Sequence, residues 1–229
     1  MRLPLIIINF KNYPEIYGQK TIELSKVAQK VADDTNVEIV LAPPQASIAV
    51  VSQSVPIPVL CQHLDDAPEG ASTGLFIPEM AKSFGASGSL LNHSEHRLEG
   101  HTISKLTERL RSLQMTSVVC AKTPDEVADI AKLRPDFIAI EPPELIGSGN
   151  AVSKHEPSLI TRSVEAKAQY SSFTKLICGA GISEKIDVSS AARLGAEGIM
   201  VASGIVKSHS WIEKIYELAS GFNDSQTSM

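Results

Sequence analysis

Apolar residues along the chain fall into two alternating patterns: short, nearly continuous runs, and longer stretches where they recur every three or four positions. The runs are Leu5–Asn9, Glu38–Ala42, 59–62, 89–92, Thr116–Ala121, Phe137–Ile140, Lys175–Cys178 and Gly198–Val201. Rich in aliphatic side chains and lacking polar alternation, they predict strands buried on both faces. Between the first two, Ile22, Leu24, Val27, Ala28 and Val31 predict an amphipathic helix over 21–32. Further helices are expected at 46–54, 78–84, 102–113, 156–169 and 211–220. One more opens at Thr123-Pro124-Asp125-Glu126, where a capping hydroxyl precedes proline and acids, and another follows Ser183-Glu184.

Eight β-then-α units with no linker-like shift in composition read as one α/β domain, a (β/α)8 barrel over 1–222. A polar tail over 223–229 is expected to fray. A doubly wound open sheet is the alternative, because periodicity cannot show closure. Length fits, since 229 residues suit an undivided barrel. An apolar fraction of 43% supplies a full core. A net charge of -5 argues against a nucleic-acid partner, so an anionic ligand would have to be drawn in by local groups. Cys61, Cys120 and Cys178 sit in or beside apolar runs with no C-x-x-C pair, which reads as buried thiols of a reducing compartment. No run approaches the roughly 18 apolar residues of a membrane helix. A cytoplasmic protein without a membrane partner is the expectation.

In such a barrel, chemistry gathers where the strands end. Asn9 and Lys11 follow the first run, Gln62-His63 the third, and Asn92-His93-Ser94-Glu95-His96-Arg97 the fourth. The sixth ends at Glu141, and Pro142-Pro143 follow at once, then Gly147-Ser148-Gly149. A carboxylate at a strand end, before a stiff-then-flexible loop, suggests a catalytic base under a closing lid. Gly179-Ala180-Gly181 and Ala202-Ser203-Gly204, after strands seven and eight, suggest backbone N–H groups holding a phosphate. His93 would start a short helical turn, where the dipole favours a neutral ring. His93, His96 and His101 also raise a metal reading, which the lack of a second ligand cluster weakens, so no metal or other cofactor is expected.

Together these segments resemble the triosephosphate isomerase family. Asn9-Phe10-Lys11, Gly70-Ala71-Ser72-Thr73-Gly74, His93-Ser94-Glu95-His96-Arg97 and Glu141-Pro142 with Ile146-Gly147-Ser148-Gly149 match its motifs in order along nearly the whole chain. Two departures, Gly181 and Ala202-Ser203 for a serine and a Gly-Gly pair, and Pro143-Glu144-Leu145 in the lid, are similar to the compact archaeal-type branch. The resemblance implies a TIM barrel that interconverts dihydroxyacetone phosphate and glyceraldehyde 3-phosphate in glycolysis and gluconeogenesis. It implies Glu141 as base, His93 as neutral electrophile and Lys11 as fixed charge. Asn9, Lys11, Ile146, Gly147, Gly181, Ala202 and Ser203 would bind substrate, with Glu95 and Thr73 in support.

The resemblance also implies a homo-oligomer, with Thr73 of the third loop reaching Glu95 of a second copy. A tetramer is expected over a dimer, with Val127, Ile130, Ala131 and Leu133 as a further apolar contact. The alternatives are another phosphosugar isomerase or epimerase barrel, and a non-catalytic barrel that binds a sugar phosphate. The first fits the His93-Ser94-Glu95 segment poorly. The second predicts loss of Lys11, His93 or Glu141, and all three are present.

Overall fold

The structure is a computed structural model that describes residues 1–142 and 151–226. Eight parallel strands, β1 (Leu5–Asn9), β2 (Glu38–Ala42), β3 (Leu60–Cys61), β4 (Gly88–Leu91), β5 (Thr116–Ala121), β6 (Phe137–Ile140), β7 (Lys175–Cys178) and β8 (Gly198–Val201), lie in the order β2-β1-β8-β7-β6-β5-β4-β3. A bridge from Leu41 to Val59, with Leu41 N–H donating to the Pro58 carbonyl at 2.9 Å, joins the two ends of that sheet. The sheet is therefore a nearly closed barrel, and the open-sheet alternative falls.

Side-chain alternation divides the strands between two cores. Leu5, Ile7, Val40, Ala42, Leu60, Leu90, Val118, Cys120, Phe137, Ala139, Ile177 and Met200 fill the barrel. Their neighbours, such as Ile6, Ile8, Leu41, Val119, Ile138 and Leu176, pack outward against helices. Each Ile or Leu so buried stabilises the fold by roughly 1.5–3 kcal/mol over exposing it. The period of two sets the mouth as well. Counting two residues on from Ile7, Leu90, Ala139 and Ile177 reaches Asn9, Asn92, Glu141 and Gly179.

The helices are α1 (Gln19–Asp34), α2 (Ile48–Ser54), α3 (Pro78–Ser83), α4 (Gly100–Ser112), α5 (Pro124–Ala131), α6 (Val152–His155), α7 (Pro157–Tyr170), α8 (Lys185–Arg193), α9 (Ser203–Val206) and α10 (Trp211–Gln226). The Thr123 hydroxyl caps α5 by accepting from Glu126 N–H, as its sequence predicts. β3 is two residues shorter than the expected 59–62, because Pro58 has no N–H to extend the ladder and Gln62 leaves it. β4 stops at Leu91 because Asn92 is left-handed, at φ 59°.

α10 runs on to Gln226, so the expected boundary at 222 falls inside a helix. Phe222, 4% exposed, packs on the core, and once a helix is nucleated further polar turns add at little cost. The apolar stripe offered for a second subunit contact is also corrected. Val127, Ile130 and Ala131 are buried in the core of this chain, and Leu133 packs against it. Among the described residues no helix is long and apolar enough to cross a membrane.

Candidate active site

Asn9, Lys11, Tyr13, His93, Glu141 and the loops after β7 and β8 line a cavity of about 210 Å³ at the barrel mouth. The backbone there is held in unusual conformations. Lys11, Asn92 and Ala180 are left-handed without being glycine (φ 47°, 59° and 51°). Such residues cost energy and persist only where their surroundings fix them. Those surroundings are visible. Asn9 Oδ1 accepts from Lys11 N–H at 3.0 Å, and Gln62 Nε2 donates to the carbonyls of Lys11 and Ala42. Asn92 donates to the Cys120 carbonyl and accepts from Leu98 N–H, while Arg97 reaches its carbonyl and pairs with Glu126 at 2.7 Å.

This frame presents three titratable groups. The Lys11 ammonium lies 2.7 Å from Glu95, with only 11% of its side chain exposed. His93 Nδ1 accepts from Glu95 N–H at 3.2 Å, so the proton of the neutral ring sits on Nε2. Nε2 in turn lies 3.5 Å from Glu141 Oε2. In that tautomer Nε2 is the ring's donor on the cavity side.

Glu141 is 7% exposed, and its Oε2 is buried with no hydrogen-bond partner among the described residues. Burial pushes its carboxyl up from the ordinary range, and His93, Lys11, the Cys120 thiol and the Ala180 backbone only partly offset this. Desolvation makes a carboxylate bind a proton more readily than one in water.

Gly179 is what makes room for it. A Cβ there would stand 2.6 Å from Glu141 Cδ, and closer still to its Cγ and Oε1. Reading Gly179 as part of a phosphate loop misses this, although its inward place two residues past Ile177 was visible. Gly179→Ala should displace the carboxylate, lowering kcat by about a hundredfold on the order of a misplaced catalytic group. Steady-state kinetics beside a melting curve would check it. A variant with normal kcat would mean that the glycine has another role.

Gly181, Ala202 and Ser203 line the same cavity. Ala202 is the N-cap of α9, which is too short to show in periodicity. Gly204 lets this turn sit on the β7 loop, since a Cβ there would meet the Ile182 carbonyl at 2.9 Å. Ile146 and Gly147 lie outside the described residues. Among the described residues no cluster of three or more His, Cys, Asp or Glu side chains could hold a metal ion. His96 instead stacks on His63, with ring centroids 3.6 Å apart. Thr73 lies at the exposed tip of the third loop, and Glu95 is already paired with Lys11.

A family model described as triosephosphate isomerase matches residues 4–219. A relative named triosephosphate isomerase in Cenarchaeum symbiosum is 47% identical over 218 residues, covering 95% of this chain and 97% of that one. Similar namesakes in Sulfurisphaera tokodaii and Methanothermobacter thermautotrophicus are 48% and 43% identical, each over 217 residues, covering 95% of this chain and 94% and 95% of theirs. With geometry, order of motifs and full-length similarity in agreement, the chain belongs to the triosephosphate isomerase family.

Proposed function

We propose that this chain interconverts dihydroxyacetone phosphate and glyceraldehyde 3-phosphate through an enediolate, with Glu141 moving the proton. The reaction transfers one proton between adjacent carbons while the carbonyl changes places. Glu141 takes the proton from the carbon beside the carbonyl and returns it to the neighbour, since one carboxylate reaches both. His93 Nε2–H is aimed at the oxygens that become negative, and Lys11 adds a fixed positive charge. Asn9 orders the Lys11 backbone. Gly181, Ala202 and Ser203 would take the phosphate on backbone N–H groups, and Ile146 and Gly147 would complete that grip. The observation that carries this reading is the 3.5 Å approach of His93 Nε2 to a buried Glu141 oxygen that has no hydrogen-bond partner among the described residues.

A coupled assay of triose phosphate isomerisation, run with and without chelator, tests it. Turnover unchanged by chelator is expected. No isomerisation, or activity lost with the chelator, would overturn it.

A second cavity of about 250 Å³, also bordered by Lys11, is lined by Asn12, Gln45, Gln62, His63, Glu95 and His96 among others. We propose that the third-loop tip of a second copy fills it, giving a two-fold dimer. The base of that loop is held for the purpose. Arg109 pairs with Glu79 through two hydrogen bonds and donates to the Ala67 carbonyl, and Asp65 accepts from Phe76 N–H. Any tetramer must use a surface other than the buried α5 stripe. Thr73→Arg should weaken the dimer and lower turnover with it, because it brings a charge against a confined cavity. Light scattering showing native-sized particles at full activity would remove this loop from the interface.

A further inference from the structure

The loop after β7 is fastened at one residue, Ser183, by charged side chains from two helices. Asp187 Oδ2, on α8, accepts from Ser183 N–H at 3.0 Å, from its hydroxyl at 3.3 Å and from Glu184 N–H at 2.9 Å. Asp187 is 1% exposed, and its other oxygen lies 2.8 Å from the Lys154 ammonium of α6. From the opposite side, Lys214 Nζ of α10 donates to the Ser183 carbonyl at 3.0 Å. Lys214 is itself held by Glu217 at 2.6 Å, and the second oxygen of Glu217 accepts from Lys185 N–H. Every polar group of Ser183 is thus engaged.

Both α8 and α10 grip the same residue, which lines the cavity two positions after the left-handed pair Ala180 and Gly181. Gly181 takes that conformation freely, but Ala180 is strained in it and does not hold its shape by local preference. A fixed exit at Ser183 leaves the two residues little freedom to relax. Capping α8 needs only Asp187 and Glu184, which form a reciprocal capping box. It does not need a lysine from a helix 31 positions further along the chain.

We propose that Lys214 is a positioning residue for anion binding: by clamping the Ser183 carbonyl it holds the loop after β7 in the shape that receives the substrate phosphate. The inference rests on the phosphate reading of that loop. Lys214 touches neither Glu141 nor His93 in the structure, so its effect is on binding and not on the proton transfer.

The test compares Lys214→Met and Lys214→Gln with the parent enzyme, using triose phosphate, the same triose without its phosphate, and inorganic phosphate as inhibitor. Loss of a charged hydrogen bond to a loop should raise KM for triose phosphate and Ki for inorganic phosphate by a similar factor, about five- to tenfold. Turnover of unphosphorylated glyceraldehyde should change by less than about twofold. The Gln variant, which keeps a donor, should lie between Met and parent. Equal loss with both substrates in both variants would mean that Lys214 supports the fold or the base, and would overturn the proposal. So would unchanged KM and Ki. A parent enzyme that isomerises triose phosphate but is not inhibited by phosphate would overturn the phosphate reading itself.

Discussion

Glu141→Gln should abolish most turnover and at the same time make the protein more stable at neutral pH. The amide cannot accept a carbon-bound proton, and removing a general base lowers the rate by roughly 10²–10⁴. The stability change has the opposite sign because burial raises the folded-state pKa of this carboxyl. A raised carboxyl pKa favours folding fully below the unfolded value, and that contribution is lost as pH rises through the folded one. At neutral pH the ionised group therefore opposes folding, and the neutral amide relieves it. The gain should shrink as pH falls toward the ordinary carboxyl range. The same raised pKa places the acid limb of kcat/KM above the pH of an ordinary glutamate. Melting curves and kinetics across pH read both effects. A Gln variant that is less stable at pH 7, or that keeps a tenth of the activity, would remove Glu141 from the role of buried base.

Lys11→Met should lose nearly as much activity by a different route. In the proposed mechanism the ammonium faces the oxygens of the intermediate, and a fixed charge in a site shielded from water contributes more than one in solvent. Loss of one such donor lowers kcat by about 10²–10³. Glu95 would also be left without its 2.7 Å partner beside His93, adding a negative charge where the intermediate needs positive. Glu95 is 59% exposed by side chain, so the fold should survive. Kinetics with circular dichroism would separate the two outcomes. A folded Met variant with near-parent kcat would mean that Lys11 only anchors Glu95.

The sequence showed the barrel because a parallel sheet leaves strands apolar on both faces, and eight such runs alternate with helical spacing. It could not show closure, which rests on one bridge between Leu41 and Val59. Short elements escaped for a related reason. α6 and α9 span four residues each, about one helical turn, too few for a repeat to register. Lys11, His93 and Glu141 were legible because each stands at or just beyond a strand end, in a motif. The roles of Gly179 and Lys214 were not, because they depend on what another segment places beside them. The α5 stripe misled in the reverse sense. An apolar helix face reads the same whether it meets its own barrel or a second chain.

The most direct measurement is isomerisation of dihydroxyacetone phosphate in D2O, followed by NMR of the glyceraldehyde 3-phosphate formed. The proton held on Glu141 in the enediolate state can exchange with solvent before it is returned, so repeated turnover predicts deuterium building up at the carbon next to the new aldehyde, and its loss along with turnover in Glu141→Gln. Triose phosphate that still carries only protium at the exchanged carbon after many turnovers, or labelling that persists at parent rate in the Gln variant, would contradict it.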